Sequence, residues 1–229
     1  MKKQIFNLAA ALTALALIVT ACDKNNGGNG NNNGTAFVIN AANVENGNSN
    51  IATVKALMYN DIGSQVVALA EYKNGGFVLN LPANVPDEYL EPIYYDDELS
   101  GMISDKKAQI GNVYIYAYDI NENQIGGFYY YPINYIENVD CETEIMYADR
   151  YFTMNGTFTD YGDTIVYNCT FKRGWNIMYC IGYDYDDYYK VLVTTQKPSG
   201  INFKWYYYGW YRECGSTSEK HKNMIFKKI

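Results

Sequence analysis

The chain has 229 residues, with 18 lysines and arginines against 25 aspartates and glutamates, one histidine and a net charge of −7. Only Arg150, Arg173 and Arg212 are arginines. A chain so acidic and so short of clustered cations lacks the means to displace counterions from a phosphate backbone, which argues against nucleic acid as a partner.

At the N-terminus, Lys2 and Lys3 precede an apolar run from Ile5 to Val19, interrupted by Asn7 and Thr13. The run is short for a bilayer span, which takes about 20 apolar residues. It has the layout of a secretory signal peptide. Val19-Thr20-Ala21-Cys22 then resembles the lipobox of bacterial lipoproteins. That resemblance implies cleavage after Ala21, a diacylglyceryl group on the Cys22 thiol and acylation of the new amine. The membrane is thus an expected partner, held through several acyl chains. An ordinary signal cleaved nearby, with Cys22 incidental, is the alternative.

Asp23 to Gly34 is almost wholly asparagine and glycine. Such a segment buries too little apolar surface to offset its ordering entropy. As a coil of a dozen residues it spans roughly 20 Å. Residues 1–21 therefore read as a signal, 22–35 as a lipidated tether and 36–229 as an all-β domain, with a subdivision near 138–143 left open. The expected location is the cell envelope at the outer membrane. Asp23 beside Lys24 leaves the periplasmic or surface face undecided.

Beyond the tether, short β-rich runs recur between turn signals, the pattern of an antiparallel β-sandwich of about 10 or 11 strands, or of two packed β subdomains. The runs lie at 36–41, 52–60, 65–72, 76–81, 111–119, 124–131, 144–159, 164–172, 175–183, 188–195 and 202–208. Asn74-Gly75-Gly76 predicts a tight hairpin turn, and Lys172-Arg173-Gly174 and Pro198-Ser199-Gly200 predict further turns. Pro82 and Pro86 close the fourth run, and Asp87 to Leu90 predicts one helical turn. Asp119 to Asn123 has alternating oxygens like a calcium loop, but it lies between two strands and reads as a hairpin tip.

Tyrosine is the outlier, at 25 residues beside 9 Phe and 3 Trp. With a four-residue loop at 120–123, Tyr118 faces Ile125, Tyr116 faces Gly127 and Tyr114 faces Tyr129. One face then carries Tyr114, Tyr116, Tyr118, Tyr129 and Tyr131, and the other Val113, Ile115, Ala117, Phe128 and Tyr130 as core. In the last strand Lys204 should point to water, taking Tyr206 and Tyr208 with it, while Phe203, Trp205 and Tyr207 turn inward. Tyr114, Tyr116 and Tyr129, then Tyr206, Tyr208 and Trp210, are the candidate ligand-binding residues. Such rings stack on sugars or serve a protein interface at low entropic cost.

Cys141, Cys169, Cys180 and Cys214 permit disulfides in an exported chain, although the alternation around Cys169 equally fits a buried thiol. No CxxC pair and no histidine cluster points to a metal, and no motif points to a cofactor.

Two stretches, "YKNGGFVLNLPANVPDEYL" and "MYADRYFTMNGTF…FKRGWNIMYCI…TTQKPSGINFKWYYYG", together with the lipobox, resemble small Bacteroidetes-type lipoproteins to which no activity attaches. The first half is similar to a transthyretin-like β-sandwich module. The resemblance spans most of the chain beyond the signal. Its motifs are turn glycines and core aromatics, so it carries over no catalytic residue.

His221 stands in a lysine-rich tail, which removes the usual histidine-activated nucleophiles. Carboxylates cluster at Asp96-Asp97-Glu98, at Asp160 with Asp163, and at Asp184 with Asp186 and Asp187. A glycosidase needs two of them about 5 to 9 Å apart across a cleft. The first expectation is a non-catalytic module that binds glycan or protein. A pilus or envelope assembly subunit of fimbrillin-like type is the alternative, and a carboxylate hydrolase ranks below both.

Overall fold

In a computed structural model, residues 37–61, 63–93, 100–133, 139–160, 163–185 and 188–210 are described. They carry thirteen strands: β1 (Phe37–Ala41), β2 (Thr53–Asn60), β3 (Gly63–Glu71), β4 (Phe77–Leu81), β5 (Glu91–Pro92), β6 (Gln109–Tyr118), β7 (Gln124–Pro132), β8 (Val139–Ala148), β9 (Phe152–Asp160), β10 (Asp163–Phe171), β11 (Gly174–Tyr185), β12 (Tyr188–Thr194) and β13 (Phe203–Gly209). The protein is all-β, as the sequence predicts. Everything described lies in one compact unit, Asn33–Ile229. The lipobox, Cys22, Cys214 and His221 fall outside the described residues.

Eleven strands form a single open sheet, and β1 with β4 forms a second sheet of two. The main path runs β13-β7-β6-β8-β11-β12-β10-β9, and β2, with β3 outside it, lies along the other edge of β6. Two cores sit on opposite faces of the large sheet. In the first, Ile39, Ala41, Phe77, Leu79 and Leu81 of the small sheet press onto Val54, Ala56 and Met58 of β2, Val113, Ile115 and Ala117 of β6, and Phe128, Ile145, Trp205 and Tyr207. Trp175 ties the layers together: its indole N–H donates to the Pro82 carbonyl at 2.7 Å.

The second core uses the alternate residues of the same central strand. Ile145 and Tyr147 face the first core; Met146 and Ala148 face the second, with Phe152, Met154, Cys169, Phe171 and Val193. Ile93, Ile103 and Ala108, from the segment before β6, cover it. A strand buried on both faces loses the apolar–polar alternation of a one-sided strand. That explains why 144–159 reads as one long run. The structure breaks it at 149–151, where the Asp149 carboxylate accepts the Gln109 amide at 2.8 Å and pairs with Arg150 at 2.7 Å, ending β8 and turning the chain into β9.

Three further departures have physical causes. Asn74 and Gly75 adopt φ of 53° and 74°, the turn the sequence predicts, and Lys73 and Gly76 exchange both backbone hydrogen bonds. The strands then part instead of forming a ladder: β3 pairs with β2 and β4 with β1, because Phe77, Leu79 and Leu81 are needed in the first core. Secondly, β10 and β12 run parallel, in a sheet otherwise antiparallel among its named strands. The short turn after β10 opens into a fork, and β12 returns to fill it between β10 and β11. Thirdly, β5 adds a two-residue strand beside Gln109 and Ile110 of β6, which carries no apolar run of its own.

Cys169 and Cys141 are buried free thiols, and Cys180 is a partly buried one. The Cys169 thiol donates to the Val193 carbonyl at 3.3 Å, and burial pushes it up to about 11. The tip at Asp119–Asn123 is a hairpin turn: the Asp119 carboxylate accepts the Asn121 and Asn123 amides at 2.8 and 2.9 Å.

Candidate functional site

The face of β2, β6, β7 and β13 that points away from the first core is partly open to solvent: Tyr59, Tyr114, Tyr129 and Tyr208 are exposed, Tyr116, Tyr131 and Tyr206 are half-buried, and Leu57 and Tyr118 are buried. β6 places Tyr114 and Tyr116 there, β7 Tyr129 and Tyr131, and β13 Tyr206 and Tyr208, each pair two residues apart and so on one side of its strand. Tyr59 of β2 joins them. Tyr114 is 48% exposed, Tyr208 49% and Trp210 54%, while Tyr207 and Trp205, on the opposite face, keep 6% and 9%.

The pairing explains the assignment and corrects two details. Tyr116 faces Gly127 across β6 and β7 as the sequence predicts. A register shift between Ala117 and Tyr118 pairs Tyr118 with Gln124, not with Ile125. Nor does Tyr114 face Tyr129, because the β6–β7 ladder ends at Ile115 and Phe128. From there back, β6 pairs with β8, from Val113 with Ile145 to Ile110 with Ala148.

The rings fall into two groups. Tyr59, Tyr114, Tyr116 and Trp210 follow one another at 5.7, 6.4 and 6.5 Å between centroids. Tyr129 lies 5.5 Å from both Tyr131 and Tyr208, and Tyr131 6.5 Å from Tyr206. These spacings fall within the range of favourable ring contacts. Gly127 separates the groups; a Cβ there would come within 3.1 Å of the Tyr129 ring.

Where β6 changes partner, β7 and β8 splay apart and leave a notch of about 170 Å³. Tyr114, Tyr116, Tyr129 and Tyr131 line it, together with Asn112, Glu142 and Glu144. Thr143 spans the gap, its hydroxyl donating to the Tyr130 carbonyl at 2.7 Å. Burial, with the charge of Glu142 second, lifts the Glu144 carboxyl to about 7. Burial and then Asp140 raise Glu142. Burial also raises the phenols of Tyr114, Tyr116, Tyr129 and Tyr131, so they remain neutral donors and acceptors at neutral pH. The side-chain oxygen of Asn112 is buried without a hydrogen-bond partner.

The structure thus brings all six sequence-predicted ligand residues, Tyr114, Tyr116, Tyr129, Tyr206, Tyr208 and Trp210, to one face. Of the predicted acidic loops, the described Asp163 and Asp184 do not line the notch. Asp163 accepts the Tyr189 amide at 3.2 Å, Asp184 is exposed on β11, and Asp96 to Glu98, Asp186 and Asp187 lie outside the described residues. The acids at the notch are Glu142 and Glu144, which the sequence reading passes over. Their signal is the alternation Asp140-x-Glu142-x-Glu144 within a strand-like run, which puts three carboxylates on one face. Among the described residues no group of three histidine, cysteine or acidic side chains could hold a metal ion.

Comparison with known proteins finds no family model that matches the sequence, no matching curated protein and no matching solved structure.

Proposed function

We propose that this chain is a lipid-anchored envelope protein that holds a glycan against its tyrosine face without transforming it. The observation that carries the reading is the cluster of contacting tyrosine rings on β2, β6, β7 and β13, among which Tyr59, Tyr114, Tyr129 and Tyr208 are exposed. Apolar C–H faces of sugars stack on such rings, and neutral phenols exchange hydrogen bonds with sugar hydroxyls. A soluble protein rarely leaves so contiguous an aromatic patch exposed unless it binds something.

Anchoring through Cys22 and outer-membrane residence follow from the lipobox-like Val19-Thr20-Ala21-Cys22 and the resemblance to Bacteroidetes-type lipoproteins with a transthyretin-like module. The Asn/Gly tether would hold the binding face clear of the bilayer. A non-catalytic role is favoured because Glu142 and Glu144 leave one strand side by side, whereas hydrolysis needs carboxyls flanking the scissile bond. The fimbrillin-like alternative leans on the edge of β3, which pairs only with β2.

A glycan array probed with the protein and with a Tyr114→Ala/Tyr129→Ala variant tests the proposal. Both positions are at least 38% exposed, so the variant should fold. The expected result is a defined set of bound glycans and a loss of about tenfold or more in affinity in the variant. Binding that survives the double truncation intact, or an array without a bound glycan, refutes it.

A further inference from the structure

The notch between β7 and β8 is chemically one-sided. Its charged members are both carboxylates, Glu142 and Glu144. Asp140 extends the same row on β8. The basic side chains that β2 and β13 contribute to this face, Lys55 and Lys204, are each already paired, with Glu122 and Glu45. Phenol rings, whose faces carry negative quadrupole density, form part of its walls, and Val113, Ile115, Phe128, Ile145 and Trp205 of the first core line the rest.

Such a site repels uronates, sulfates and phosphates, and it offers a neutral sugar more acceptors than donors. A protonated amine suits it on every count. Its N–H donors suit the two carboxylates, the positive charge relieves the crowding of like charges, and ring faces attract cations. At about 170 Å³ the notch takes one sugar-sized group, not a whole oligomer. The remaining rings, Tyr206, Tyr208 and Trp210, lie beyond it on the same face, where neighbouring units would rest.

We propose that the notch selects a glycan bearing a free amino group, the ammonium seated against Glu142 and Glu144 and the sugar ring against Tyr114, Tyr116, Tyr129 and Tyr131. The selection rests on the glycan-binding reading above. The raised carboxyls of Glu144 and Glu142 agree with it, since both are held above their ordinary range by burial and by neighbouring negative charge that a cation would offset. The titratable groups around them are Tyr114 of β6, Tyr129 and Tyr131 of β7, Asp140 of β8, Cys180 of β11 and Tyr189 of β12.

Calorimetric titration of the full chain at pH 7 and low ionic strength, with a glucosamine tetramer and its fully N-acetylated counterpart, tests the selection. The free-amine tetramer should bind about tenfold tighter or more, and added salt should erode the advantage. Glu142→Gln/Glu144→Gln should level the two affinities. Glu142→Gln alone, at an exposed position, should narrow the gap and serves if the double variant misfolds. Equal or tighter binding of the acetylated tetramer, or a preference that survives the substitutions, overturns the selection while leaving the glycan-binding reading standing. Binding of neither tetramer overturns the selection, and a blank glycan array removes the reading beneath it.

Discussion

Glu144 shows how a single position couples the site to the fold. Its carboxyl titrates at about 7 in the folded protein because of burial and Glu142, against about 4.3 for an ordinary glutamate. Between those values the folded chain keeps a proton that the unfolded chain has released. Stability is therefore fully present below the ordinary value and declines as pH rises through 7. The decline amounts to at most about 4 kcal/mol. Thermal unfolding followed from pH 5 to pH 8 should show a falling melting temperature, and Glu144→Gln should flatten that slope. A variant as pH-sensitive as the parent would mean that Glu144 is not buried beside the rings. The tyrosines were legible in the sequence because side-chain direction alternates along a strand, so Lys204 alone fixed Tyr206 and Tyr208 outward. Glu144 was not: its burial depends on β7 splaying from β8, a long-range event with no local signature.

At the scale of elements, hairpins with their own turn chemistry were legible and partner changes were not. The tip at Asp119–Asn123 and the turn at Asn74-Gly75 follow from residues that tolerate or stabilise tight turns. The fork that admits β12 between β10 and β11 could not be read, since the Lys172-Arg173-Gly174 turn does not say which strands its two arms pair with. What holds the mouth of the fork is visible at Thr195. Its hydroxyl accepts the Thr170 amide at 2.9 Å and donates to the Thr170 carbonyl at 3.1 Å, closing the fork just beyond the end of β12. Thr195→Val removes both bonds at once. It should cost about 1 kcal/mol in urea unfolding and speed hydrogen exchange at the Thr170 amide. An unchanged exchange rate there would show that the fork is held by β12 packing alone.

Across the whole molecule, the decisive feature is that the large sheet is covered on different faces at its two ends. The β1–β4 layer covers one face of β2, β6, β7 and β13, and the segment carrying Ile93, Ile103 and Ala108 covers the other face farther along. The rings lie where neither cover reaches, and the acidic notch lies at the border between them. The sequence predicted both faces of the tyrosine hairpin but not this exchange of covers, which arises from contacts between segments far apart in the chain. Since ligand binding rests on that uncovered face, the most direct measurement is a titration of ring-labelled tyrosines by NMR with the glycan that binds best on the array. Shifts are expected at Tyr59, Tyr114, Tyr116, Tyr129, Tyr131, Tyr206 and Tyr208, while Tyr147, Tyr179 and Tyr207 on the opposite face stay still. Shifts confined to those buried rings, or to tyrosines elsewhere in the chain, would contradict it.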